Sequence, residues 1–325
     1  MLDHRDEPAT MARISHRVAV LIPCRNEGLT IAQVVKGFRQ ELPEAQIYVY
    51  DNRSTDDTVD QAKSTDAIVR YEPQPGKGNV IRRMFADIEA DIYVLVDGDN
   101  TYEVSAIGRL IQRLLDSHLD MVVGARRSEA KDKEAYRLGH REGNIFLKGV
   151  VQLLFGAQLK DMLSGYRIFS RRFVKSFPAL SSGFEIETEF TVHALELKLP
   201  FAEEYILYGS RPPGSESKLK TFTDGWRVLG TAILLFKEAR PFLFFGMVFL
   251  VLGLISMGLG LPIFSEYVAT GLVPRQPTAI LAASIMLLAF LSLTCGLILD
   301  SVARGRREMK RMTYLLHPAP NLDNP

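Results

Sequence analysis

The sequence predicts an α/β domain: a mostly parallel sheet with helices on both faces, then an amphipathic interface helix and a two-helix transmembrane hairpin. Three observations carry this. Short β-rich apolar runs alternate with helical-period segments between residues 17 and 125. Polar residues collect in the loops that follow those runs. Two stretches near the C-terminus, 24 and 22 residues long, carry no charge at all.

The first fifteen residues, MLDHRDEPATMARIS, are polar and expected to be disordered. The apolar stretch after them, Val18–Pro23, is too short for a secretion signal. The strands expected next are RVAVLIP (17–23), QIYVYD (46–51), DAIVRY (66–71), DIYVLVD (91–97) and LDMVVGA (119–125). Their near-continuous apolarity suggests strands covered on both faces. Between them Ile31, Val34, Val35, Phe38 and Leu42 recur at helical spacing, as do Ile107, Leu110, Ile111, Leu114 and Leu115. Strands alternating with helices across short connections imply a parallel sheet. Ligands of such sheets gather beyond the carboxyl ends of the strands. The loops after Pro23, Tyr50 and Val96 are therefore the expected site. They read PCRNEG, DNRSTDDT and DGDNTYE, with a glycine-flanked lysine, Lys77, in PGKGN (75–79).

Past residue 137 the pattern turns helical, with a long helix expected over RLGHREGNIFLKGVVQLLFG. The domain is expected to run over 16–220. Over 221–240, Phe222, Trp226, Leu229, Ile233 and Phe236 share one side of a helix, with Lys237 and Arg240 near its end. That pattern fits a helix lying in the headgroup plane. The uncharged runs are 241–264 and 278–299. As helices each reaches roughly 33–36 Å, enough for a hydrocarbon core of about 30 Å. Arg227, Lys237 and Arg240 precede the first run, and Arg304, Arg306, Arg307, Lys310 and Arg311 follow the second within the tail 300–325. The positive-inside bias places both flanks and the preceding domain in the cytoplasm; the membrane expected is a bacterial or archaeal plasma membrane.

The net charge of +1 gives no global field that would select nucleic acid. Two cysteines, one in the soluble part and one in an apolar run, argue against a disulfide. The six histidines are scattered and show no zinc-ligand spacing. Asp97 and Asp99, separated by Gly98 at the end of an apolar strand, crowd two carboxylates onto one turn. Hard oxygen ligands at i and i+2 suit Mg2+ or Mn2+, with further ligands from water and substrate phosphates.

Together VAVLIPCRNE, VYDNRSTDDT, PGKGN, VLVDGDNTYE, VVGARR, DMLSGYRIF and RPPGSESKL resemble the family 2 glycosyltransferases of the GT-A fold. The nearest subgroup is the dolichyl- and polyprenyl-phosphate sugar synthases. The resemblance covers roughly residues 17–220. It implies that Pro23, Arg25, Glu27, Asp51, Lys77, Asp97 and Gly98 bind a UDP- or GDP-linked sugar, and that Asp97 and Asp99 hold the metal on its diphosphate. Relatives often carry a glutamine ligand where this chain has Thr101, which leaves the third protein ligand open. Arg126 and Arg141 match arginines that hold acceptor or donor phosphates. Arg127, Arg211 and Lys218 add cations for the acceptor phosphate, and Asp161 matches an acidic position that orients the site or acts as a base.

A phosphomonoester acceptor, with a second pKa near about 6, is already a dianionic nucleophile at neutral pH and needs cations more than a base. No enzyme nucleophile is evident, so direct attack with inversion is expected. A polyprenyl lipid cannot leave the bilayer cheaply, at about 0.8 kcal/mol per buried methylene. The enzyme must therefore meet its headgroup at the membrane. A processive polysaccharide synthase is the alternative, but Trp226 precedes Arg227 rather than closing a Q-x-x-R-W element, and a hairpin is too small for a channel. A non-catalytic nucleotide-sugar-binding adaptor is disfavoured by the intact acidic pair and the arginines. Association into a homo-oligomer through the apolar hairpins is left open.

Overall fold

The computed structural model describes residues 16–127, 159–183, 185–209 and 236–320, with a few isolated positions between them. The expected N-terminal disorder, the long helix over 137–156, Arg141, Arg211, Lys218 and most of the amphipathic helix lie outside the described residues.

The chain forms β1 (Val18–Cys24), α1 (Ile31–Glu41), β2 (Gln46–Asp51), α2 (Thr58–Lys63), β3 (Ile68–Tyr71), α3 (Lys77–Asp87), β4 (Ile92–Leu95) and α4 (Ile107–Asp116). Then follow β5 (Met121–Arg127), β6 (Arg167–Ser170), α5 (Arg171–Ser176), α6 (Ile186–Leu197), β7 (Phe201–Leu207), α7 (Pro241–Thr270) and α8 (Gln276–Leu315). The seven strands lie in the order β3-β2-β1-β4-β6-β5-β7. Among the described strands β6 alone runs against the others. The five strands expected from the sequence are all present, as is the mostly parallel arrangement.

Core formation follows the apolar periodicities. Ile31, Val34, Val35 and Phe38 of α1 and Ile107 to Leu115 of α4 pack on one face of the sheet. Val80, Ile81, Met84 and Phe85 of α3 pack with Phe173, Phe177 and Phe190 on the other. One expectation needs correction. β3 is not covered on both faces: Ile68 is 40% and Tyr71 58% exposed, because β3 is the outermost strand and no neighbour shields it.

The chain leaves β1 for β2 on one side and later returns to β4 on the other. The crevice between β1 and β4 is therefore the topological switch point. Pro23 widens it. Leu21 O accepts from Val96 N while Cys24 O accepts from Asn52 N, so odd positions of β1 face β4. Pro23 faces that side beyond the last pairing, Leu21↔Leu95, where its missing N–H costs no ladder bond. The reversal of β6 brings the loop that precedes it, residues 161–166, to the same rim.

The α7 and α8 helices are long and apolar enough to cross a membrane. Only 6% and 17% of their most apolar windows are buried, so they are not core helices, and their exposed Leu, Ile and Phe surface fits a bilayer. They pack together through small residues. Ala282, Ala289, Gly296 and Ala303 recur every seventh position on the buried side of α8. Ser256 Oγ donates to Ala282 O at 2.7 Å and Ser292 Oγ to Phe245 O at 3.1 Å. Close backbone approach at such positions is the usual way apolar helices associate in lipid.

Both helices extend past the apolar runs read from the sequence. The basic segment after Leu299 continues α8 and docks on the soluble domain. Lys310 Nζ lies 2.8 Å from Glu196 Oε2, and Tyr314 Oη donates to the buried Asp120 at 2.9 Å. The Arg172 guanidinium sits 4.8 Å over the Tyr314 ring and also grips Asp120. Burial and the Asp120 charge raise the Tyr314 phenol above its usual range.

Beneath α8, His193 of α6 is 1% exposed, edge-on to Phe173 and Phe177, with Nε2 3.1 Å from Ser176 Oγ. Burial, helped by the Lys310 charge, pushes its pKa down to about 3. The folded state thus holds the ring neutral. Its contribution to stability is present above about 6.5 and is lost as pH falls toward 3. The full-length protein in detergent should lose stability over that window by up to about 1.4 kcal/mol per pH unit from this group. Thermal midpoints between pH 7 and 4 should fall less steeply in His193→Gln than in the wild type.

Candidate active site

The turn after β4 is built tightly. Thr30 Oγ1 donates to Gly98 O at 2.6 Å, tying the turn to the start of α1. A Cβ on Gly98 would come within 2.7 Å of Cys24 Sγ, so no larger residue fits between the two carboxylates. Asn100 follows with φ 57°, a left-handed conformation asparagine tolerates. The turn leaves Asp97 partly exposed and Asp99 buried.

A lysine sits against this turn. Lys77 Nζ lies 2.5 Å from Asp97 Oδ1 and 2.6 Å from Glu187 Oε1, with its side chain only 8% exposed. Burial alone would lower the ammonium's pKa, but the two carboxylates raise it above the usual lysine range. Burial in turn raises the Glu187 carboxyl, and Lys77 opposes that shift. Among the described residues Glu187 Oε2 finds no hydrogen-bond partner. The glycines flanking Lys77 are required by packing: a Cβ on Gly78 would lie 2.0 Å from Ser181 O, and Gly76 adopts φ 121°. Gly165 backs the pair, since its Cβ would fall 2.3 Å from Asp97 Oδ2.

Thr101 holds Asp99 rather than supplying an evident metal ligand. Its Oγ1 donates to Asp99 Oδ1 at 2.6 Å and its N–H to the same oxygen at 3.2 Å. Two carboxylates on one rigid turn remain a fit for a hard divalent cation that completes its shell with water and phosphate oxygens. Among the described residues no group of three or more His, Cys, Asp and Glu forms a fuller protein cage.

Beside the crevice, the loop after β2 is tied to the loops after β1 and β3. Asp51 is buried and accepts from Ser54 N at 3.3 Å. Asn52 Nδ2 donates to Glu72 O and Gln74 O, while its Oδ1 accepts from Gly76 N at 2.8 Å. Glu27 is buried, with its N–H bonded to Thr58 Oγ1, and Arg25 is exposed beside it. Pro23, Glu27, Asp51, Lys77, Asp97 and Gly98 therefore share one rim.

Arg126 ends β5 on the same side. Its Nε and Nη2 hold Asp161 at 2.6 and 2.9 Å, and its guanidinium lies 5.4 Å from the Tyr208 ring. Burial opposes its charge, but the bond to Asp161 carries its pKa well above the usual arginine value. Both Asp161 oxygens are engaged by Arg126, which favours an orienting role over proton abstraction. Arg127 is exposed. Tyr102 bridges to Tyr208 and accepts from Gly165 N at 2.9 Å, linking the Arg126 side of the rim to the Asp97 side. Arg167 lies beneath, fully buried, and donates to Ser164 O, Met162 O and Thr191 Oγ1. Burial pulls its pKa down to about 10, and its bonds fix the 161–166 loop.

Sequence reasoning missed Glu187, Asn52, Thr30, Tyr102 and Arg167. A signal for Glu187 existed: it lies between Ile186 and Phe190 on the buried side of α6. A carboxylate on a buried helix face needs a cation. Asn52, Thr30 and Tyr102 act through backbone contacts distant in sequence, and Arg167 through the carbonyls of its own preceding loop and Thr191.

Comparison with known proteins follows the same outline. The glycosyl transferase family 2 model matches residues 19–177. Glycosyltransferase AglJ of Haloferax volcanii is 30% identical over 300 residues, covering 92% of this chain and 98% of the relative. Dolichol-phosphate mannosyltransferase of Pyrococcus furiosus is 25% identical over 217 residues, covering 63% of this chain and 59% of the relative. Among solved structures, glucosyl-3-phosphoglycerate synthase from Mycobacterium tuberculosis, in complex with Mn2+, UDP and glucosyl-3-phosphoglycerate, superposes with a TM-score of 0.56. That likeness spans 68% of this chain and 80% of the other at 21% identity, and concerns the fold.

Replacing Lys77 with Met should destabilise the protein by about 3–5 kcal/mol, because Glu187 is left buried and unpaired. The double variant Lys77→Met, Glu187→Leu should recover most of that loss in chemical denaturation. Gly165→Ala should leave the thermal midpoint within a few degrees yet cut sugar-transfer turnover at least about tenfold, by displacing Asp97.

Proposed function

The chain belongs to glycosyltransferase family 2, and from that premise we propose that it moves a single sugar from a nucleotide sugar to polyprenyl phosphate at the cytoplasmic membrane face. The observation that carries the proposal is one rim holding both an acidic turn and a half-buried arginine, in a chain that continues into two exposed apolar helices.

The donor would lie in the crevice between β1 and β4, its base and ribose near Pro23, Glu27 and Asp51. Asp97 and Asp99 would hold Mg2+ or Mn2+, which when bound would neutralise the leaving diphosphate. The Mn2+ and UDP of the structural relative support a divalent ion here. Lys77 keeps Asp97 fixed, and Thr101 keeps Asp99 fixed, so neither carboxylate need reorganise as charge develops. A phosphate oxygen of the acceptor attacks the anomeric carbon, the bond to the donor diphosphate breaks, and the nucleoside diphosphate departs. No proton has to be removed, which agrees with an Asp161 already bound to Arg126. Arg127, exposed beside Arg126, is suited to meet the incoming phosphate with Arg141, Arg211 and Lys218.

The path of α8 supports a lipid acceptor. From the membrane outward it meets Glu196 through Lys310 and then Asp120 through Tyr314. It thus runs past the last turn of α6 to the residue that precedes β5, the strand that carries Arg126 and Arg127. Kinship with the dolichol-phosphate enzyme points to the same acceptor class.

Purified protein with Mg2+ or Mn2+, undecaprenyl phosphate and a panel of UDP- and GDP-sugars should form a lipid carrying one sugar, read by mass spectrometry. Asp97→Ala and Asp99→Ala should each lower turnover by about 10³-fold or more, as should EDTA. Full activity in both variants, or a polymeric product, would overturn the reading.

A further inference from the structure

A cavity of about 470 Å³ lies at the opposite edge of the sheet from the catalytic rim, where the apolar helices meet the soluble domain. Lys198, Arg240 and Arg307 line it with Glu196, Leu199 and Phe201. Glu187 opens α6 and Glu196 falls in its last turn, so about 14 Å of helix separates the cavity from the rim.

Two of the cations that line it, Lys198 and Arg307, stand without an ion pair among the described residues. Glu196 is taken by Lys310 at 2.8 Å. Among the described residues no carboxylate forms an ion pair with Arg307 or Lys198, and Arg307 Nε donates only to Ala303 O at 3.3 Å. The height is informative too. Arg240 immediately precedes α7, and Arg307 stands eight residues beyond Leu299, about 12 Å along α8. The cations therefore span the level of the headgroup layer, with Leu199 and Phe201 beside them.

We propose that this cavity binds a phosphate-bearing anion, supplied by the phosphodiester headgroup of an anionic membrane lipid and clamped by Lys198 and Arg307. The basic segment after the second apolar run, read from sequence as an orientation signal, thereby acquires a ligand. Basic pockets where membrane helices leave the bilayer are suited to such headgroups. The occupant would brace α7, α8 and the α6–β7 loop together, holding the catalytic domain at a fixed attitude. The site is separate from the acceptor phosphate, and it does not depend on the proposed sugar transfer.

The full chain in detergent would be titrated with phosphatidylglycerol, phosphatidylcholine or inorganic phosphate and followed by native mass spectrometry and thermal midpoint. Wild type should retain phosphatidylglycerol and be stabilised by it, with little response to phosphatidylcholine. Lys198→Gln with Arg307→Gln should weaken retention about thirtyfold, at roughly tenfold or less for each cation removed. A control pair, Arg304→Gln with Arg306→Gln, removes the same charge outside the cavity and should leave retention within about twofold. Equal retention by the cavity pair and wild type would overturn the site. Stabilisation by millimolar phosphate equal to that by phosphatidylglycerol would overturn the lipid as its source. Equal losses in both pairs would reduce the effect to diffuse charge and overturn it as well.

Discussion

The site depends on one ammonium held between two carboxylates. Lys77 reaches from the start of α3 to Asp97 on the β4 turn and Glu187 on α6, joining three segments that the sequence separates by up to 110 positions. A buried lysine is costly unless paired, and so is a buried glutamate; each makes the other tolerable. Much else follows from that contact. The residues beside Lys77 must be glycines for α3 to approach the 181–182 backbone, and Gly165 must lack a side chain for Asp97 to sit where it does.

The sheet was legible because buried strands must be apolar and loops between short elements must be polar. Val18–Cys24, Gln46–Asp51 and Met121–Arg127 lie within a residue or two of the runs that announced them. β3 misled, since apolarity alone does not distinguish a central strand from an edge one. The acidic turn was legible as a place but not as a device. Two carboxylates beside one glycine say that something positive is needed. They do not say that the chain supplies part of it from Lys77, 20 positions earlier in the sequence. Thr101 shows the same limit: its hydroxyl orients Asp99 across two residues, a contact that depends on the local turn rather than on residue type.

The two long apolar helices were visible by length and charge alone, yet the link between them and the catalytic domain was not. A basic tail after an apolar run ordinarily reads as a solvated flank. Here α8 carries on for about four turns beyond Leu299 and closes on Asp120 and Glu196. Tyr314 and Lys310 are spaced four apart, on one face of the helix, and that face is the one that meets α5 and α6. The apolar hairpin is thus joined to the soluble domain at two places, through Arg240 at its entrance and through this clasp at its exit.

Two attachments restrict orientation in a way that one cannot. A domain tethered only through the chain before Pro241 could swivel, and its rim would meet a membrane-bound phosphate only in a fraction of attitudes. Ordering it by a second contact lowers the entropy that must otherwise be lost when the acceptor docks. The contacts that set attitude lie at the edge of the sheet away from the chemistry, where Asp120 anchors β5, α5 and α8 at once. Orientation and reaction are thereby assigned to opposite ends of the same strands. The lower end fixes the angle at which β5 stands, and Arg126 and Arg127, seven residues or fewer along that strand, inherit it.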